Sequence, residues 1–157
     1  MDESLSWMQV VLAEAQQAVN SGVYPYPGVG CILVYDHKII ARARNGKAGA
    51  PHAESQVLDA AVRSGFPLAQ CALYTNLEPC CNVGLVHSCV KDIIQAGVKE
   101  IHIAHLDPYF RIRGNGIDEL KRAGLELVLG ELEAEARYMN HAYLSRFCPH
   151  CGWPVKD

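Results

Sequence analysis

Four side chains in this chain could hold and serve a catalytic metal ion. His52 and Glu54 lie two residues apart, and Cys80 and Cys89 follow further along the chain. One imidazole and two thiolates suit a tetrahedral zinc ion and leave its fourth position free for water. Because structural zinc sites are normally closed by four protein ligands, three ligands predict a catalytic site.

Glu54 indicates which chemistry that site would perform. A carboxylate is too hard to complete a thiolate-rich structural site, but beside an open position it can exchange protons with water. Zinc deaminases carry H-x-E followed by P-C-x-x-C. This chain matches the H-x-E and the Pro79-Cys80 pair but has eight residues between Cys80 and Cys89. We therefore predict a zinc-dependent hydrolytic deaminase, with His52, Cys80 and Cys89 as ligands.

A purely structural explanation of the same residues stays open at this point. Free cysteines are among the most buried residue types, so Cys80, Cys81 and Cys89 could be small core residues. His52 would then be an ordinary histidine at a helix start. The corresponding function is a non-catalytic zinc-binding or partner-binding module, and Glu54 argues against it, since a structural site needs no carboxylate beside an open position.

Composition and charge restrict the remaining possibilities. With 157 residues, half of them apolar, the chain is expected to form one globular domain. Seven cysteines and an acidic start without a basic leader predict a cytoplasmic protein with free or metal-bound thiols. No apolar run is long enough to cross a bilayer. The net charge of −3 disfavours nucleic acid as a partner, including the substrate of a transfer-RNA editor.

The apolar pattern predicts alternating helices and strands. We expect helices over residues 4–20, 52–64, 89–96, 118–123 and 131–146, and strands over residues 29–35, 38–44, 72–77, 99–105 and 125–129. The first two strands form a hairpin turning at Asp36-His37, and a loop around Gly84 precedes the helix at Cys89. This order predicts a three-layer α/β/α sandwich with a mixed five-stranded sheet, and a site where helices begin beyond strand ends.

Several stretches together resemble a known family. They are residues 29–34 after a Pro-x-Pro, 47–54, 77–80 with Cys89, 96–98, 107–108, 114–116 and 120–124. In these the chain is similar to the deaminase domain of the bifunctional riboflavin-biosynthesis deaminase/reductase, which has the cytidine deaminase-like fold. The resemblance covers nearly all of the predicted domain, residues 1–147. It implies zinc on His52, Cys80 and Cys89, Glu54 as proton shuttle, and a homodimer or larger homo-oligomer.

At four positions where members of that family bind their substrate, this chain has a different residue. Tyr26 replaces an asparagine, Asn45 a histidine, Leu85 a phosphate-binding lysine, and Tyr109 an asparagine that follows Asp107-Pro108. The resemblance therefore implies the chemistry of a diaminohydroxyphosphoribosylaminopyrimidine deaminase whose substrate-binding residues are altered.

Two kinds of small-molecule substrate stay open. A phosphorylated riboflavin intermediate would need Lys47, Arg111 or Arg113 for the anion contact that Leu85 cannot make. A free base or nucleoside of the cytosine or guanine type would instead stack on an aromatic ring. The predicted substrate-binding residues are Tyr26, Asn45, Ala53, Asp107 and Tyr109. No stretch resembles the reductase half, so we expect no second pathway step.

Residues 148–157 form a C-terminal tail with a Cys-x-x-Cys motif. Cys148 and Cys151 resemble one knuckle of a zinc ribbon, a site that requires four ligands. His141 or the tail of a second copy could complete such a site. The alternative is a reduced, flexible terminus.

Overall fold

The computed structural model describes residues 3–81 and 88–155, so Gly84 and Leu85 lie outside the described residues. Its helices are α1 (Glu3–Asn20), α2 (Ala53–Arg63), α3 (Cys89–Ala96), α4 (Asn115–Arg122), α5 (Glu133–Met139) and α6 (His141–Leu144). Its strands are β1 (Gly30–Tyr35), β2 (Lys38–Arg44), β3 (Ala72–Leu77), β4 (Glu100–His105) and β5 (Glu126–Leu129). A short 3₁₀ helix, Leu68–Gln70, lies between α2 and β3.

The strands form one sheet in the order β2-β1-β3-β4-β5. β1 pairs antiparallel with β2 and β3, whereas β3, β4 and β5 are parallel. The first hairpin turns at Asp36 and His37, whose φ angles of 47° and 56° are those of a type I′ turn. The predicted hairpin and mixed five-stranded sheet are confirmed.

Helices cover both faces of this sheet, which confirms the three predicted layers. α2, α3 and α4 pack on one face around a core that includes Val57, Ile93 and Leu120. α1 and α5 pack on the other face, where Met8 shares a second core with Ile32. Burying one side chain of this size contributes roughly 1.5–3 kcal/mol, so the two cores fix the strand ends that carry the site. Within the described part of the chain, no helix has the length and apolar composition needed to span a bilayer.

The prediction of a single helix over residues 131–146 is wrong, because this segment divides into α5 and α6 at Asn140. The buried side-chain amide of Asn140 accepts a hydrogen bond from the N–H of Gly28 at 2.8 Å and donates one to its carbonyl at 2.9 Å. This pairing holds Asn140 at φ −94° and ψ 17°, outside regular helical geometry. α4 begins at Asn115, before the predicted start at Asp118.

Candidate active site

Three separate segments bring His52, Cys80 and Cys89 together. His52 is the extended residue directly before α2, with φ −66° and ψ 154°. Cys80 follows the end of β3. Cys89 begins α3 after the cap residue Ser88, whose hydroxyl oxygen accepts a hydrogen bond from the N–H of Lys91 at 3.3 Å. The three residues therefore meet where two helices begin beyond the end of a strand.

The potential ligand atoms of these residues are spaced for a single metal ion. Nδ1 of His52 lies 3.2 Å from Sγ of Cys89 and 3.5 Å from Sγ of Cys80. All three atoms lie within 4.8 Å of one another. Zinc–nitrogen and zinc–sulfur bonds put tetrahedral ligand atoms roughly 3.3–3.8 Å apart, so the spacing fits zinc. We refer to His52, Cys80 and Cys89 as the metal centre.

The charges in the metal centre also favour a cation. Hydrogen bonds from Cys89 and His52 lower the pKa of Cys80 to about 4. The interaction with Cys80, together with burial, raises the pKa of Cys89. The hydrogen bond to Cys80 also raises the pKa of His52. One thiolate therefore forms readily, and a second negative charge beside it requires a cation such as zinc.

Glu54 lies next to the metal centre in the first turn of α2. Its Oε2 atom is 3.8 Å from Sγ of Cys89, and only 4% of the residue is exposed. Burial raises the pKa of Glu54 to about 7. A carboxyl group that titrates near neutrality can both accept and donate a proton, as a general acid–base catalyst must.

A cavity of about 310 Å³ opens beside the metal centre. Its wall includes His52, Cys80 and Glu54. A cavity of this size accommodates a small cyclic ligand. Four of the five predicted substrate-binding residues also line it, namely Tyr26, Asn45, Ala53 and Asp107.

Tyr26 and Asn45 contribute to the cavity wall in different ways. Tyr26 is 50% exposed, so its ring is accessible to a ligand. The side-chain oxygen of Asn45 accepts a hydrogen bond from the N–H of Val29 at 2.8 Å, and its amide nitrogen donates to the carbonyl of Pro27 at 2.7 Å. The Asn45 amide thus holds the backbone of this wall in place.

Asp107 and Tyr109 lie close together in the chain but have different surroundings. Asp107 is buried, and its Oδ1 accepts a hydrogen bond from the N–H of Tyr109 at 2.8 Å. The hydroxyl of Tyr143 donates to the same carboxylate at 3.2 Å. Burial raises the pKa of Asp107 to about 7. The ring of Tyr109 packs against Phe110 and Phe147, with centroid separations of 5.1 Å and 5.8 Å.

Glu78, for which the sequence predicted no role, also lies in the cavity wall. Its buried carboxylate accepts hydrogen bonds from the N–H groups of Asp107 at 3.2 Å, Gly114 at 3.0 Å and Ile117 at 3.3 Å. Burial raises the pKa of Glu78. Glu78 therefore ties residues 107–114, which we call the cavity loop, to the segment that ends at Cys80. The available sequence signal is a charged residue directly after a buried strand.

The C-terminal tail is folded against the cavity loop. Phe147 and Pro154 form an antiparallel bridge. The N–H of Phe110 donates to the carbonyl of Gly152 at 3.1 Å, and the ring of Phe110 stacks on Trp153 at a centroid distance of 4.2 Å. Residues 147–154 thus form a small hairpin that is docked on the domain.

Cys148 and Cys151 lie in this hairpin as free thiols. Cys148 is partly exposed and Cys151 is exposed. Across residues 3–81 and 88–155, the metal centre is the one group of three or more potential ligand side chains close enough to share an ion. His141 therefore does not complete a site with the two cysteines.

The sandwich fold and the His/Cys/Cys cluster beside a buried glutamate define a class of zinc-dependent deaminases. Residues 1–105 match the family model described as the cytidine and deoxycytidylate deaminase zinc-binding region. The chain therefore belongs to this family of zinc-dependent hydrolytic deaminases. The metal centre lies within the matched residues.

Individual relatives confirm the resemblance to the riboflavin-biosynthesis deaminases. The chain is 34% identical over 140 residues to the riboflavin biosynthesis protein RibD of Aquifex aeolicus (strain VF5). This alignment covers 89% of the present chain and 38% of the Aquifex protein. It is 33% identical over 122 residues to the diaminohydroxyphosphoribosylamino-pyrimidine deaminase of Buchnera aphidicola (subsp. Schizaphis graminum), covering 78% and 81% of the two chains.

A solved structure agrees with these relatives. The diaminohydroxyphosphoribosylaminopyrimidine deaminase/5-amino-6-(5-phosphoribosylamino)uracil reductase of Thermotoga maritima superimposes with a TM-score of 0.85 at 30% identity. The match covers 91% of this chain and 40% of that chain. The present chain thus spans well under half the length of the Aquifex and Thermotoga proteins.

Proposed function

We propose that the chain is a hydrolytic deaminase that removes an exocyclic amino group from an amino-substituted pyrimidine or a related heterocycle. The position of Glu54 carries this proposal. Its buried carboxyl group lies 3.8 Å from Sγ of Cys89, on the wall of a cavity that also includes His52 and Cys80. A structural metal site has no use for a carboxyl group at that position.

His52, Cys80 and Cys89 would hold zinc, which when bound supplies a water molecule of lowered pKa. Glu54 would be the base that takes a proton when a water molecule adds to the ring carbon that bears the amino group. Glu54 then gives the proton to the amino nitrogen, the carbon–nitrogen bond breaks, and ammonia leaves. Backbone N–H groups at the start of α2, beside Ala53, stabilise the negative charge that develops on the substrate.

The charge of the cavity wall favours a substrate without a phosphate group. Lys47 is the one lysine or arginine among the described residues that line the cavity. Three carboxyl groups share the wall with it, those of Glu54, Glu78 and Asp107. A neutral base or nucleoside, with its ring against Tyr26, requires no further cation from this wall.

The two arginines considered as anion contacts have other partners. The guanidinium of Arg113 donates to the carbonyl of Pro149 at 3.4 Å. The guanidinium of Arg111 lies 5.6 Å from the centroid of the Phe110 ring. Among the described residues, Lys47 is therefore the cation best placed to contact a phosphate group on a cavity ligand.

A phosphorylated ribosylaminopyrimidine is the second candidate substrate. Its support is the similarity to the Buchnera protein, whose name specifies that substrate. In that case Lys47 would bind the phosphate, and replacing Lys47 with methionine would weaken binding of the phosphorylated compound alone.

Metal analysis combined with an ammonia assay tests the proposed function. We expect about one zinc ion per chain in the metal centre, lost in His52→Ala, and ammonia release from at least one amino-heterocycle. Wild-type protein that holds zinc in the metal centre but releases no ammonia from any compound of a broad amino-heterocycle panel would indicate the non-catalytic module. Protein whose zinc content is unchanged by His52→Ala would refute the ligand assignment.

A matched pair of compounds tests the substrate. The ribosylaminopyrimidine with and without its phosphate group should be compared with cytosine, guanine and their nucleosides. We expect the unphosphorylated compounds to give the higher kcat/KM. A preference for the phosphorylated compound that disappears in Lys47→Met would establish the second candidate instead.

We also propose a cytoplasmic location and a homo-oligomeric state. All seven cysteines are free thiols, in keeping with a reducing cytoplasm. The net charge of −3 agrees with a small-molecule substrate and not with nucleic acid. The family resemblance supports a homodimer or larger homo-oligomer, which sedimentation of the purified protein would test.

A further inference from the structure

Residues 148–152, which we call the C-terminal knuckle, have a geometry that the deaminase reaction does not use. The N–H of Gly152 donates to the carbonyl of Cys148 at 2.8 Å, and the N–H of Cys148 donates to the carbonyl of Trp153 at 2.9 Å. These bonds close a tight turn between Cys148 and Cys151. The turn places the backbone and the side chain of Cys151 next to the thiol of Cys148, and both lower its pKa.

Backbone N–H groups of the turn favour the thiolate form of Cys148. Those of Cys151, His150 and Gly152 all lower the pKa of its thiol. Successive N–H groups that converge in this way form a nest for an anion, here a thiolate. Two adjacent sulfurs with such a nest are what one knuckle of a thiolate–zinc site provides.

The knuckle supplies two ligands, whereas a closed structural zinc site has four. Within residues 3–81 and 88–155, no third histidine, cysteine, aspartate or glutamate lies close enough to share an ion with the pair. Cys151 is exposed, and so are the apolar side chains of Trp153 and Val155, at 58% and 57%. A second copy related by a two-fold axis would bring its own Cys148 and Cys151 sulfurs to the ion. It would also cover the exposed side chains of Trp153 and Val155.

We propose that Cys148 and Cys151 form one half of a tetrahedral zinc site, which the same pair from a second copy of this chain completes. The site is separate from the metal centre and does not depend on deaminase activity. Each zinc ion joins two knuckles, and each knuckle is docked on its own cavity loop through Phe110. The shared ion thereby holds two cavity loops in one assembly.

Zinc stoichiometry tests the shared site directly. A site shared by two chains adds roughly half a zinc ion per chain to the one in the metal centre, so the wild-type protein should contain about 1.5 zinc ions per chain. The double variant Cys148→Ser/Cys151→Ser should fall to about one, with an unchanged circular dichroism spectrum as evidence of folding. His150→Ala changes the exposed residue between the two cysteines, is the matched control, and should retain the wild-type zinc content.

Several outcomes would overturn the proposal. Equal zinc in the wild type and the double variant would exclude a metal at the knuckle. A loss of a whole ion per chain, or a monomeric wild type that binds the additional zinc, would exclude sharing between copies. A loss of zinc in His150→Ala would exclude the four-thiolate ligand set. Thiol titration of protein denatured without reductant should find all seven cysteines. If two thiols were missing and were recovered by reduction, the knuckle would hold a disulfide instead.

Cobalt substitution distinguishes this site from the metal centre. A Co²⁺ ion with four thiolates gives stronger sulfur-to-metal charge-transfer absorption than one with two thiolates and an imidazole. The double variant should lose the four-thiolate component and keep the other, whereas His52→Ala should do the reverse. Failure of the proposed deaminase function would leave this spectrum unchanged.

Discussion

The metal centre and the C-terminal knuckle offer the same ligand chemistry on different supports. In the metal centre, His52, Cys80 and Cys89 come from three segments that the sheet and two helix starts bring together. In the knuckle, Cys148 and Cys151 are three residues apart, and one turn aligns them. The first arrangement depends on the whole fold, whereas the second depends mainly on local backbone geometry.

This difference has consequences for burial and chemistry. Cys89 and Glu54 are almost fully buried, at 0% and 4% exposure, so the metal centre adjoins a sheltered cavity in which a carboxyl group titrates near neutrality. Cys151 is exposed and has no comparable carboxyl group among its described neighbours. Distant segments can build an environment for catalysis, whereas a local turn supplies ligands alone.

The largest expected effect comes from replacing Glu54 with glutamine. The amide cannot accept or donate the proton, so we expect kcat to fall by on the order of 10³-fold or more while the zinc content stays that of the wild type. Glu126→Gln, at an exposed position, is the matched control and should leave kcat unchanged. Retained turnover in Glu54→Gln would remove the main functional distinction between the two cysteine sites.

Asp107 lies in the cavity loop between the two sites. Because its carboxyl group is buried, the free energy of unfolding should depend on pH. Burial raises the pKa of Asp107 to about 7 from its ordinary value of 3.8. Between these values the folded protein binds more protons than the unfolded chain, so the free energy of unfolding falls as the pH rises through this window. Above about pH 7 the free energy of unfolding is lowered by the full cost of burying the ionised Asp107 carboxylate.

Asp107→Asn removes this penalty because an amide does not ionise. Relative to the wild type, the free energy of unfolding of Asp107→Asn should increase between about pH 4 and pH 8 by on the order of 3 kcal/mol. Urea unfolding across this range measures the difference, and Asp59→Asn, at an exposed position, is the control. A difference that does not change with pH would show that Asp107 is ionised in the folded protein at little cost.

The metal-centre residues could be predicted from sequence because His-x-Glu and Pro-Cys are short patterns with specific chemistry. The strands could be predicted because their apolar pattern is local. The roles of Glu78 and Asn140 could not, since both depend on partners far along the chain. Glu78 binds the N–H groups of the cavity loop, and Asn140 divides a helix by binding Gly28. Docking of the tail on Phe110 is likewise a tertiary contact without a local signal.

Gly116→Ala tests whether the metal centre depends on packing from a distant helix. A Cβ atom at Gly116 would lie 2.8 Å from the carbonyl oxygen of Pro79 and 3.2 Å from Oε1 of Glu78. Alanine favours an isolated helix over glycine by about 1 kcal/mol, yet the clash should reverse the sign and destabilise the protein by roughly 1–3 kcal/mol. Displacement of Pro79 should also move Cys80 and weaken zinc binding about 10-fold.

Competition with a chromogenic chelator measures that loss of zinc affinity. Lys121→Ala, at an exposed position of the same helix, should match the wild type in zinc affinity. A Gly116→Ala protein that is more stable and holds zinc as tightly as the wild type would show that the metal centre tolerates movement of α4.

The smallest effect on global stability is expected for Gly152→Ala, which acts on the docking of the tail. Gly152 has φ +70°, and a Cβ atom there would lie 2.5 Å from the carbonyl oxygen of Pro108 and 2.9 Å from the nitrogen of Phe110. Left-handed backbone costs a non-glycine residue about 1 kcal/mol, and the clash separates the tail from the cavity loop. We expect faster proteolysis within residues 147–155 and an unchanged zinc content in the metal centre.

Gly22→Ala is the matched control for this variant. Gly22 has φ +79°, and a Cβ atom there would have no neighbour within 4 Å, so it carries the same backbone cost without the clash. Proteolysis of the tail should therefore increase in Gly152→Ala and not in Gly22→Ala. Equal protection of the tail in both variants would mean that the Phe110–Trp153 stack alone holds it, and that the close approach of Gly152 to the cavity loop contributes little.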